Sequence, residues 1–125
     1  MKTLSEDILR DPRYPVHLIA GQLLPYLRVL VEQFQPEQII LFGSYAYGKP
    51  DRHSDVDLLI VRECAPYPDS HAAAKAIRHA WWPVRRSGAN LSIESIVETP
   101  HGHRERLDKA GGFYTEISRQ GIPLL

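Results

Sequence analysis

Two short apolar runs separated by a polar stretch constrain the fold of this chain more than any other feature. Residues 38–42 and 56–61 are dominated by isoleucine, leucine and valine. Short runs of this composition are typical of buried β-strands. The stretch 48–54 between them contains Gly, Pro, Asp and Ser, which favour turns. We therefore expect two neighbouring strands joined through an exposed loop.

A helix is expected before the first strand. From Val16 to Phe34, apolar residues recur at spacings of three and four, which predicts one buried helix face. Pro25 interrupts this pattern, because proline lacks a backbone donor and its ring clashes with the preceding turn. The sequence predicts either a kinked helix or a helix that starts afresh with Pro25 in its first turn.

Helices and one more strand are expected after the strand pair. Residues 91–97 alternate between apolar and polar, as a strand with one buried face does. The other expected elements are a helix from Ser70 that stops at Pro83, helices over 104–109 and 113–119, and an extended piece over 122–125. This order predicts an α/β (α+β) fold in which helices pack on a small mixed β-sheet. We expect residues 1–14 to be a flexible arm and residues 15–125 to be the domain.

Composition limits what the chain does. A chain of 125 residues with 43% apolar residues can build one core. Its 15 basic and 15 acidic residues cancel, which argues against dedicated binding of nucleic acid or membrane surfaces. Cys64 is the only cysteine, the first residues lack the apolar run of a secretory signal, and no apolar stretch is long enough to span a bilayer. We expect a cytoplasmic protein without membrane contact.

Gly43 and Ser44 leave the end of the first predicted strand. A glycine there lets the backbone approach a ligand closely, and free amides together with the Ser44 hydroxyl can hydrogen-bond phosphate oxygens. A short helical turn over 45–48 would direct its positive amino end at the same anion. This pattern predicts a phosphate cradle.

Two carboxylates open the second strand. Asp55 and Asp57 are two residues apart, so their side chains project to the same face and can share cations. Mg²⁺ suits such a pair because it binds through a few carboxylates plus substrate phosphates. Glu94 lies on the polar side of the third predicted strand and faces the pair if that strand lies alongside the second. Three acids beside a phosphate cradle predict a two-metal phosphoryl-transfer site.

The spacing of these residues resembles that of a known superfamily. Gly43-Ser44, ten further residues and then Asp55-Val56-Asp57 is similar to the GSx10DxD signature of the DNA polymerase beta-like nucleotidyltransferases. Residues 93–100, where a strand bearing an acid enters a Thr-Pro turn and a helix, resemble the minimal, MNT-type branch. The likeness extends from Gln38 to the end of the chain, and the preceding helix fits it.

The resemblance implies the polymerase beta-like fold, two Mg²⁺ ions and an NTP donor, ATP being the expected one. It places Gly43 and Ser44 on the triphosphate. It makes Asp55, Asp57 and Glu94 both metal ligands and catalytic residues. It also implies a HEPN-domain toxin as partner in a hetero-oligomer, with this chain acting as the antitoxin by AMPylating the toxin.

Two positions depart from the superfamily pattern. Tyr47 stands where members often have arginine, so a cation for the triphosphate would have to come from Lys49 or Arg52. The third acid is Glu94 rather than the more usual aspartate. Glu98, on the same face of that strand, is the next candidate for the third carboxylate.

Two other functions fit the same residues. One is a binding module that neutralises a toxin by occupying its surface, with little or no catalysis. The other is a small-molecule nucleotidyltransferase that acts on antibiotics as a homo-oligomer.

Some residues outside the predicted site carry simpler expectations. His101 and His103 begin a charged helix and are expected to be solvated, as is the pair Arg85-Arg86. Of Trp81 and Trp82, at least one is expected in the core, and the other marks a contact surface.

Overall fold

The computed structural model describes residues 3–109 and 111–125. Within these ranges four strands form one sheet: β1 (Gln38–Phe42), β2 (Val56–Val61), β3 (Ile93–Glu98) and β4 (Ile122–Pro123). Their order across the sheet is β3-β2-β1-β4. β1 is antiparallel to both β2 and β4, whereas β2 and β3 are parallel, so the predicted mixed sheet is confirmed.

Helices cover this sheet. The α-helices are α1 (Glu6–Leu9), α2 (Ala20–Val29), α3 (Ser44–Tyr47), α4 (Ser70–Ala80), α5 (Trp82–Arg86), α6 (Pro100–Lys109) and α7 (Phe113–Gln120). A 3₁₀ turn (Pro15–Ile19) precedes α2, and a π-helical turn (Leu30–Phe34) follows it.

The two faces of the sheet bury different clusters. On one face, residues such as Leu41 and Leu58 join the main core, which contains apolar residues of α2 and α4. On the other face, Leu59 packs in a smaller cluster with Tyr114 and Ile117 of α7. Asp57 lies two residues before Leu59, so strand alternation places the Asp57 side chain on the face covered by α7.

Two prolines lie in helices, contrary to part of the sequence prediction. Pro25 lies inside α2, which begins at Ala20, so the helix does not start afresh at this proline. Pro83 lies in the first turn of α5, so it begins a helix, and α4 has already ended at Ala80. The first turn of a helix tolerates proline because the missing N–H would have no intrahelical partner there.

The described part of the predicted flexible arm packs on the domain. Its residues 5–9 contain helix α1, and the Leu9 side chain is buried. The Ser5 amide donates a hydrogen bond of 2.9 Å to the carbonyl of Leu124, just after β4. This part of the chain therefore packs on the domain through Leu9 and the Ser5 amide, and the domain boundary at residue 15 stays a prediction. Met1 and Lys2 lie outside the described residues.

The two adjacent tryptophans have opposite environments, as predicted. Trp81 is completely buried, packs edge-on against the ring of Tyr26 and donates from Nε1 to the Tyr26 carbonyl at 3.0 Å. Trp82 is 59% exposed. Trp81 thus belongs to the core, and Trp82 is part of the surface.

No helix within the described ranges is long and apolar enough to cross a membrane.

Candidate active site

One edge of the sheet gathers the residues that the sequence singled out. β1 ends where β2 and β3 begin, because β1 is antiparallel to β2 and β2 is parallel to β3. In the strand register, Asp57 pairs with Phe42 on one side and with Glu94 on the other. Gly43 follows directly after Phe42. The topology therefore places Gly43, Asp57 and Glu94 on three consecutive strands at one edge.

Gly43 is in direct contact with the Asp57 carboxylate. Its backbone has φ 78° and ψ −158°, a conformation that side-chain-bearing residues rarely adopt. A Cβ at Gly43 would lie 2.2 Å from Asp57 Oδ2, far inside any normal contact. Glycine is therefore required for both the conformation and the space.

Helix α3 begins immediately after Gly43, as the sequence predicts. The carbonyl of Gly43 accepts hydrogen bonds from the amides of Ala46 at 3.0 Å and Tyr47 at 3.2 Å. Ser44 is the first residue of this single turn, and its side chain is partly exposed. The strand-to-turn junction thus presents backbone and a hydroxyl beside the Asp57 carboxylate.

The charges of Glu94 and Asp55 act on the Asp57 carboxyl. Burial raises the pKa of the Asp57 carboxyl, and the neighbouring charges of Glu94 and Asp55 raise it further. Asp57 is only partly buried, while Asp55 and Glu94 are exposed. The edge of the sheet is therefore a region where negative charge accumulates, and a bound cation would relieve this repulsion.

The described residues contain no group of three or more His, Cys, Asp and Glu side chains arranged as a ready metal-binding cluster. The carboxylate oxygens still fit a hard divalent cation, which takes oxygen ligands and completes its shell with water and substrate phosphate. Asp55 and Asp57 are the residues that the sequence predicts to hold it, and Glu94 lies on the strand adjacent to Asp57. Their metal and catalytic roles remain predictions.

A hydrogen bond between Tyr47 and Glu116 lies beside this edge, and no sequence pattern indicated it. The Tyr47 hydroxyl donates to Glu116 Oε2 at 3.0 Å. Burial is the main cause that raises the pKa of the Tyr47 hydroxyl, and the charges of Glu116 and Asp57 add to it. Glu116 belongs to α7, 69 residues further along the chain. Tyr47, which stands where superfamily members often have arginine, therefore links α3 to α7 through this hydrogen bond.

A pocket of about 390 Å³ opens next to Asp55. Its walls include Arg52 and His53 from the loop before β2 and Arg85 from α5. Lys49 and Arg52 are the cations that the sequence offers in place of an arginine at position 47. Arg52 lines this pocket together with Asp55. The pocket suits an anionic or strongly polar group.

Glu98 lies away from the three carboxylates, although it is on the same face of β3 as Glu94. It pairs in register with Val61, at the far end of β2. Its Oε2 forms an ion pair with Arg106 Nε at 2.9 Å. Its Oε1 accepts a hydrogen bond from the Thr99 amide at 3.0 Å. Glu98 therefore anchors the start of α6 and is a poor candidate for the third carboxylate.

The prediction for the two histidines of α6 is half wrong. His101 is exposed and lies 3.2 Å from Glu105, as expected of a solvated residue. His103 is buried, and its ring lies near that of Tyr114. Burial lowers the pKa of the His103 imidazole. It is covered because α7 folds back over α6, a contact that charge pattern alone does not reveal.

The family assignment agrees with this geometry. A family model described as a nucleotidyltransferase domain matches residues 26–116, which include Gly43, Ser44 and all three carboxylates. The chain belongs to this family, within the polymerase beta-like superfamily, and is a transferase of nucleoside monophosphates. A comparison with curated proteins finds no match.

Proposed function

We propose that this chain is a Mg²⁺-dependent enzyme of the cytoplasm that transfers AMP from ATP to a hydroxyl on a partner protein. The expected partner is a HEPN-domain toxin held in a hetero-oligomer, for which the chain acts as antitoxin. The observation that carries the proposed chemistry is the contact of Asp57 with Gly43, next to Asp55 and Glu94, at one edge of the sheet. The MNT-like sequence pattern supports the choice of partner.

Donor binding is assigned to Gly43, Ser44 and the first turn of α3. Gly43 has no side chain, so a triphosphate can approach the backbone closely at this junction. Asp55 and Asp57 would hold Mg²⁺, which when bound would neutralise charge on the triphosphate. Without a cation, the same carboxylates repel an approaching NTP.

The transfer step needs a group that takes the acceptor's proton. The hydroxyl oxygen attacks the α-phosphorus of the NTP, the bond from that phosphorus to the pyrophosphate oxygen breaks, and pyrophosphate leaves. Glu94 is exposed and on the strand next to Asp57, so its carboxylate is open to an incoming hydroxyl. We assign the proton to Glu94, with one of the two aspartates as the alternative base.

A protein acceptor is favoured over a small molecule by the MNT-like sequence pattern. Antibiotic nucleotidyltransferases that resemble this site bind their acceptor with an additional domain or a partner subunit. A partner protein would supply both the acceptor hydroxyl and the surface that positions it.

The test is to mix the purified chain with a candidate HEPN-domain toxin, labelled ATP and Mg²⁺. The proposal expects label on the HEPN protein, and none with Asp55→Asn combined with Asp57→Asn. If the double variant still neutralises the toxin, the chain acts by occupying it. If label appears only on hydroxylated antibiotics, without any partner, the chain is a small-molecule enzyme.

A further inference from the structure

One stretch of the chain is basic and contains no acid. Between Asp69 and Glu94 the sequence has four Lys and Arg residues and two His, but no Asp or Glu. On α4 the buried residues are Ala73, Ala74 and Ile77, so the exposed side chains share the opposite face. A chain of zero net charge therefore concentrates positive charge on α4 and α5.

Trp82 lies within this basic region. It borders a surface depression of about 460 Å³ together with Lys75, Arg78 and His79. Its indole is 59% exposed, while Trp81 beside it is fully buried and supplies the core contact. Tryptophan and arginine are the residues most often found as energetic centres of protein interfaces.

Helix α5 connects this region to the candidate active site. Its residue Arg85 lines the pocket of about 390 Å³ that also contains Asp55. Arg85 Nη1 donates to the carbonyl of Leu91 at 2.9 Å, which fixes α5 to the segment leading into β3 and Glu94. Helix α5 thus contributes Trp82 to the basic region and Arg85 to the pocket beside Asp55.

We propose that the face formed by Lys75, Arg78, His79, Trp82 and Arg86, here called the basic face, docks an acidic surface of the protein that accepts the nucleotide. The inference rests on the proposed function, because it assumes a protein acceptor. A docked protein that extends along α5 past Arg85 would reach the pocket at Asp55. The basic face thus defines both where the partner binds and which charge it carries.

An acidic protein fits this face better than a nucleic acid does. A long nucleic acid that extends from the face past Arg85 would meet Asp55, Asp57 and Glu94, whose negative charges repel it. Single-stranded nucleic acids also require several aromatic side chains on which successive bases stack. A folded acidic patch is compact and requires only the basic face.

Binding to a defined acidic probe tests the proposal without requiring catalysis. The probe is a short dye-labelled copolymer of glutamate and tyrosine, small enough to lie on the basic face alone, and its fluorescence anisotropy is followed without nucleotide or metal. We expect Lys75→Glu combined with Arg78→Glu to weaken binding at least about tenfold, since like charges placed opposite each other are strongly unfavourable. Trp82→Ala should weaken it by about tenfold or more.

The matched control is Arg10→Glu combined with Arg119→Glu. Both residues are exposed and lie outside the basic face, and the change in net charge is the same. We expect this control to bind the copolymer within about twofold of the parent, because distant surface charges are largely screened. Three results would overturn the proposal: no binding by the parent, equal weakening in the control, or a single-stranded RNA oligonucleotide that binds the same residues more tightly than the copolymer.

A second measurement separates the docking face from the proposed function. ATP and Mg²⁺ are added, and AMP transfer to the tyrosines of the copolymer is followed. If the copolymer binds but receives no AMP, the result supports docking on the basic face and counts only against the proposed transfer to a protein hydroxyl. Transfer that is equally fast in the Lys75→Glu, Arg78→Glu variant would overturn the basic face as the place where the acceptor docks.

Discussion

Replacing Gly43 with alanine is the substitution whose consequences the structure defines most completely. At φ 78° and ψ −158°, a side chain is strained whatever space surrounds it. Strain of this kind costs of order 1–3 kcal/mol. Taking about 2 kcal/mol, we expect Tm to fall by roughly 6–12 °C for a chain of this size.

The same substitution should damage transfer beyond its effect on stability. The new Cβ would lie 2.2 Å from Asp57 Oδ2, so the carboxylate must move by about 1 Å to reach an ordinary contact. Misplacement of a reacting group by about this distance can lower a rate about 10²-fold. We therefore expect transfer to fall about 10²-fold at a temperature where the variant remains folded.

Two other glycines separate strain from contact. Gly88 has φ 103° and open space where a Cβ would lie, so Gly88→Ala should lose stability but keep full transfer. Gly21 is helical, with open space and an ordinary φ, so Gly21→Ala should raise stability slightly. Tm from thermal scans and single-turnover transfer are the assays. If Gly43→Ala transfers as fast as Gly88→Ala, the contact with Asp57 has no part in the chemistry.

Three further predictions concern the site. Asp57→Asn should raise Tm at neutral pH in the presence of chelator. The pKa of the Asp57 carboxyl is higher in the folded protein than its ordinary value of 3.8, so the parent loses stability as the pH rises above that value. Asparagine does not ionise and avoids this loss. Equal Tm values for the two proteins at neutral pH would contradict this. Ser44→Ala should weaken ATP binding in calorimetry by roughly 1.5–3 kcal/mol, the value of one charge-assisted hydrogen bond, and unchanged affinity would show that Ser44 makes no phosphate contact. Glu94→Gln should keep ATP binding while transfer falls roughly 10²–10⁴-fold, with Glu94→Asp as the conservative companion. Transfer at the parental rate would make Glu94 a surface acid.

Local patterns predicted that Gly43, Asp57 and Glu94 lie together because these residues are close in sequence or on neighbouring strands. Gly43 and Asp57 lie at the ends of two apolar runs joined by one loop, so strand pairing brings them together. The place of Glu94 required an assumption, that β3 lies alongside β2, and the parallel register confirms it. Strand alternation then places the Asp57 side chain on one face of the sheet, whereas Asp55 precedes β2.

Contacts that depend on the packing of distant helices were not predicted. The bond between Tyr47 and Glu116 and the burial of His103 both depend on how α7 folds back over α6 and the sheet. The sequence around Tyr47, Glu116 and His103 contains no local pattern that predicts these contacts. Net charge was equally uninformative about the basic face, because a sum over the chain hides how charge is distributed in space.

The most direct test of the central claim is the affinity for ATP measured by calorimetry with Mg²⁺ and, separately, with chelator. The claim is that Asp55 and Asp57 admit a triphosphate only when a divalent cation offsets their charge. We expect binding with Mg²⁺, little binding with chelator, and loss of the metal-dependent gain in Asp55→Asn combined with Asp57→Asn. Equal affinity for ATP with Mg²⁺ and with chelator would contradict the claim.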